Sequence, residues 1–73
     1  MTYAYRVFVE LVNADTDVMH FSNERLYEGA IFRVSKPGKH IHGTPVVVRR
    51  VDSHPSPTGD TPGIAHAHVE GVR

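Results

Sequence analysis

The chain has 73 residues, with eight Lys and Arg balanced by eight Asp and Glu, six histidines and no cysteine. That composition excludes disulfide or cysteine-zinc stapling and denies the chain the positive field that drives non-specific binding to phosphate backbones. A chain of this length buries only about 60% of its unfolded surface, so a single domain over residues 1–73 has to be held by apolar burial, oligomerisation or a His/carboxylate metal site.

In chain order, Tyr3, Tyr5, Val7, Val9 and Leu11 alternate with a polar set that includes Arg6 and Glu10, the pattern of a half-buried strand. "NADTD", Asn13 to Asp17, reads as a polar turn, and "VMHFS" as a strand that runs back and closes a hairpin. "NERLYEG" is too short for an independent helix and reads as an irregular loop or single turn. "AIFRVS" predicts a strand with Ala30, Phe32 and Val34 on one face. "KPGK" places Pro37 and Gly38 where a type II turn wants them, with His40 to His42 as a short returning strand or loop. "VVVRRVD" is a β-branched fourth strand, and Ile64 to Val69 a last one. The connection between them, Asp52 to Gly63, is long for so small a domain, and loops of that kind usually carry function or stay disordered.

These elements predict an all-β fold, a small five-stranded, partly open barrel around Tyr5, Val7, Val9, Leu11, Phe32, Val34, Val46, Val48, Ala65, Ala67 and Val69. The order "YRVFVEL", hairpin, "LYEGAIFRV", turn, "PVVVRRVD", long loop, "GIAHAHVE" resembles the SH3-like barrels of short uncharacterised bacterial and phage proteins. The resemblance covers nearly the whole chain and implies the fold, not an activity, because SH3-like barrels host many functions. The subfamily that binds proline-rich peptides is a poor match, since its groove needs Trp and this chain has none.

Two His-x-His pairs attract attention, His40/His42 and His66/His68, the second followed by Glu70. On a strand, residues two apart share a face about 7 Å apart, a spacing at which two imidazoles and a carboxylate can share zinc. The alternative places Ala65, Ala67 and Val69 in the core and leaves His66, His68 and Glu70 on a solvated face that also discourages edge pairing. "NADTDVMHFSNE" matches calcium-loop spacing at Asn13, Asp15, Asp17 and Glu24, yet has Val18 where that loop needs glycine. Arg33, Lys36, Lys39, Arg49 and Arg50 form the best basic cluster, a candidate surface for single-stranded nucleic acid that zero net charge disfavours.

No nucleophile elbow or phosphate loop is present in the sequence. The expectation is therefore a non-enzymatic interaction module that binds a protein partner through its long loops or an edge strand. His54, Pro55, Pro57 and Asp60 are the candidate partner-binding residues, no cofactor is expected unless zinc binds the histidines, and edge strands leave room for a homodimer. The longest apolar runs, such as Val46-Val47-Val48, are far too short to cross a bilayer, and the first twelve residues already carry Arg6 and Glu10. Neither a signal peptide nor a membrane helix fits. Small secreted domains usually carry disulfides, so the expected compartment is the cytoplasm.

Overall fold

The computed structural model describes residues 2–11 and 15–71. Five strands run in chain order: β1 (Tyr3–Glu10), β2 (Asp15–Ser22), β3 (Ile31–Arg33), β4 (Pro45–Ser53) and β5 (Gly63–Val69). They form one sheet in the order β2-β1-β5-β4-β3. All neighbours are antiparallel except β1 and β5, which run parallel. The sheet curls through 224° into an open half-barrel, an all-β architecture as the alternation of the sequence predicts.

The concave side is the core. Tyr5, Val7 and Val9 of β1, Val46 and Val48 of β4, and Ala65 and Ala67 of β5 are buried, with at most 1% of their surface exposed. These are the alternate positions that local periodicity selects, because successive strand residues point to opposite faces. Leu11, Phe32 and Val69 pack at the margin of the cluster, half-buried instead of enclosed. Among the described residues Val18, Ala30, Val34, Leu26 and Ile41 complete the core. The last two come from loops, each a lone aliphatic residue in a polar stretch, where no periodicity marks them.

Several boundaries differ from the sequence expectation. Asp15, Thr16 and Asp17 are not a turn: they already belong to β2, with Asp15 opposite Glu10, Thr16 opposite Val9 and Asp17 opposite Phe8. Asn13 of the expected turn, and of the calcium-like spacing, lies outside the described residues. The third strand is regular only over Ile31–Arg33. Its pairing nevertheless continues on both sides, through Val48 N–H to the Ala30 carbonyl (2.8 Å) and Val34 N–H to the Thr44 carbonyl (3.0 Å). Ala30, Phe32 and Val34 therefore still face inward together.

Lys36 to Thr44 forms a run of consecutive turns and no returning strand. Lys39 N–H bonds to the Lys36 carbonyl (3.1 Å), His42 N–H to that of Lys39 (3.1 Å) and Thr44 N–H to that of Ile41 (3.0 Å). Gly38 takes φ 84°, the value the third position of a type II turn demands and glycine adopts without steric cost.

Side chains bridge the open edge of the half-barrel. His20 of β2 stacks on Phe32 of β3, with ring centroids 3.9 Å apart. Lys36, just beyond β3, donates from Nζ to the Asp17 carbonyl (2.8 Å) and to Thr16 Oγ1 (3.3 Å) of β2. Among the described residues no helix is long and apolar enough to cross a membrane.

Candidate functional site

Gly63, Ala65 and Ala67 face the core, so β5 turns His66 and His68 to the convex face. There His66 Nε2 lies 2.7 Å from Asp52 Oδ2, and Asp52 Oδ1 accepts from Arg50 at 3.1 Å. Phe8, the β1 neighbour of His66, stacks on its ring at 5.4 Å, and the Arg6 guanidinium lies over the Phe8 ring, 5.2 Å from its centroid. Arg6 in turn donates to Asp17 at 2.9 Å, and that guanidinium holds the Asp17 carboxyl below the usual carboxylate range. Arg49 pairs with Glu10 alongside.

The pairing of β4 explains why two consecutive arginines reach this face. Val48 sits opposite Ala67 but Arg50 sits opposite His66, so Arg49 is an extra residue in β4, a β-bulge. Both arginines stay outside and Val51 returns to pack against the core. The signal is present in "VVVRRVD": inward valines at 46 and 48 are followed by one at 51, an interval of three that strict alternation forbids.

The histidines do not assemble. His68 Nδ1 contacts the Val69 carbonyl at 3.1 Å, and Glu70 lies past the end of β5, its N–H bonded to the Pro45 carbonyl. His40 and His42 belong to the turn run after β3, where His42 Nδ1 accepts from Lys36 N–H at 2.9 Å. Among the described residues no three His, Asp or Glu side chains converge as metal ligands. The basic cluster is divided likewise. Arg49 and Arg50 are tied to carboxylates, Arg33 donates to the Gly43 carbonyl, and Lys36 and Lys39 sit on the turn run. The convex face is thus a solvated sheet surface of alternating charge.

The long loop is ordered by its own bonds. Ser56 N–H donates to the Thr61 carbonyl, Gly59 N–H to that of Ser56, and Thr61 N–H to Ser56 Oγ, while Thr58 Oγ1 donates to Asp60. Its base is anchored in the core. Tyr5 Oη accepts from Leu26 N–H (3.2 Å) and hydrogen-bonds His54 Nδ1 (2.7 Å), so one hydroxyl ties both segments to β1. A fully buried tyrosine requires such partners. Inward placement of Tyr5 was readable from alternation, whereas its partners, 21 and 49 residues away, were not.

Held in this way, the loop stands off the sheet and encloses a groove of 550 Å³ lined by Tyr3, Ala4, Phe21, Arg25, Pro55 and Pro57 among others. Phe21 is 65% exposed. Of the four loop residues singled out in the sequence, Pro55 and Pro57 line the groove, His54 anchors the loop and Asp60 belongs to its internal bonding. Phe21 and Arg25 are additions from β2 and the segment after it. Compared with known protein families, curated proteins and solved structures, the chain matches none.

Proposed function

We propose that the protein is a non-enzymatic interaction module of SH3-like architecture whose groove between the Asp52–Gly63 loop and the β1–β2 edge receives a peptide segment of a protein partner. The observation that carries this reading is the groove itself: a concave surface with an exposed phenyl ring, a tyrosine, two prolines and one cation, walled by a loop that its own hydrogen bonds preorganise. Aromatic and arginine anchors at a concave centre are the residue types that dominate binding energy, and a loop ordered beforehand costs less entropy when a ligand arrives. The five short strands in an open half-barrel support the SH3-like likeness drawn from strand order.

The test is selection of a displayed random-peptide library on the folded protein. Enriched peptides should lose about tenfold or more in affinity on Phe21→Ser and on Arg25→Glu, and should shift amide resonances between Ser56 and Thr61. Peptides that bind both variants as well as the parent, or a library that yields no enrichment, would remove this reading.

A further inference from the structure

At the other end of β1 lies a second cavity, of 270 Å³, lined by Leu11, Thr16, Lys36, Lys39, His40 and Ile41. Among the described residues its lining holds three basic side chains and no carboxylate. In a chain of zero net charge this is a local positive excess. Neither lysine forms an ion pair among the described residues. The two hydrogen bonds that Lys36 Nζ makes go to neutral oxygens, Thr16 Oγ1 and the Asp17 carbonyl. The Asp17 carboxylate itself is turned to Arg6 on the convex face.

Lys36 is part-buried and has no direct salt-bridge contact among the described residues, although its charge still acts on the Asp17 carboxylate; with two of its three protons engaged it has one donor left. The turn bonds from Lys36 to Thr44 fix the two lysines on one short segment. The bond from Lys36 N–H to His42 Nδ1 ties that segment to itself a second time. The apolar part of the lining is Leu11 and Ile41, the latter only 8% exposed.

We infer that this cavity binds a small organic anion, with the anionic head held by Lys36, Lys39 and His40 and the apolar body against Leu11 and Ile41. The volume suits a single ring or short chain, below the range of drug-sized ligands. Phosphate and carboxylate heads share the required chemistry, and they can be separated experimentally.

The experiment is an ¹⁵N-NMR titration of the intact chain with phenyl phosphate, benzoate, inorganic phosphate and benzyl alcohol. Expected are saturable shifts of the amides from Lys36 to His42 with phenyl phosphate, with benzoate or with both, and the stronger of the two identifies the head. Inorganic phosphate should bind the same amides more weakly, and benzyl alcohol should leave them in place. Lys39→Gln should weaken binding about tenfold, the value of one charge-assisted hydrogen bond, with Lys39→Arg restoring most of it. Among the described residues the Lys39 side chain makes no hydrogen bond to the sheet comparable with those of Lys36, so the variant is expected to keep the parent spectrum elsewhere. Shifts that do not saturate, that Lys39→Gln leaves unchanged, or that spread equally to Arg49 and Arg50 would overturn the inference. Equal affinity for inorganic and phenyl phosphate would overturn the role of Leu11 and Ile41.

Discussion

Among the described residues Tyr5 is the one polar-tipped side chain in a core otherwise built of aliphatic residues, and its hydroxyl joins three parts of the chain. Tyr5→Phe leaves the Leu26 N–H and His54 Nδ1 without this partner, and is expected to cost about 1–3 kcal/mol, measured by urea denaturation. Because the bond anchors the base of the long loop, the same variant should broaden or shift the resonances of residues 54–61. At Gly63 the β5 backbone passes close against that ring. A Cβ there would meet Tyr5 Cδ2 at 2.6 Å and the Ser53 carbonyl at 2.8 Å. Gly63→Ala should therefore destabilise by about 1–3 kcal/mol through overpacking, and an unchanged denaturation midpoint would show that the ring can yield. His20 gives a pH dependence. Burial against Phe32 lowers its pKa from the ordinary histidine value, so as pH falls the unfolded chain, with its histidine near 6.5, takes up the proton before the folded one does. Its contribution is intact above about 6.5 and is lost as pH falls below that, until the folded-state pKa is passed. The difference between the pH–stability curves of the parent and His20→Leu should show this slope on the acid side of neutrality, and parallel curves would refute it.

The strands differ in how firmly each is held. β5 is inserted between β1 and β4 and has hydrogen-bonded neighbours on both sides, whereas β3 is three residues long with one neighbour. Native-state hydrogen exchange should therefore find the slowest amides in β1, β5 and the centre of β4, and the fastest among strands in β3 and the turn run that follows it. The open edge reinforces this ranking. β2 and β3 are joined there by the His20–Phe32 stack and the Lys36 bonds, which side chains can release without breaking a backbone ladder. The β4 bulge has a separate consequence. By keeping Arg49 and Arg50 on one face it lets each find a carboxylate, Glu10 and Asp52.

For the molecule as a whole, stability rests on a core of small side chains, mostly valine and alanine, without disulfides. A single core of this size supplies about 3–5 kcal/mol. The ion pairs of the convex face join side chains 44–67% exposed in the Arg50–Asp52 case and comparably elsewhere, and pairs of that kind add little to folding and are screened by salt. Thermal denaturation in dilute buffer and at about 1 M NaCl should accordingly give closely similar midpoints. A steep loss at high salt would mean that the Arg6–Asp17, Arg49–Glu10 and Arg50–Asp52 pairs act as one network that holds the fold.

The number and kind of strands, the inward positions of β1, β4 and β5, the glycine turn at Gly38 and the length of the loop that walls the groove were all legible in the amino-acid order. All of these follow from local rules, since a period of two and a turn residue act within a few positions of the chain. Tertiary structure alone decided that β5 lies parallel to β1, that Val18, Leu26 and Ile41 join the core, that the His-x-His pairs stay apart, and that Phe21 and Arg25 meet the prolines of a loop some thirty residues further on. Strand pairing is chosen by the burial of the whole concave face at once. Alternation says which side of a strand is apolar, and carries no information about which strand will lie beside it.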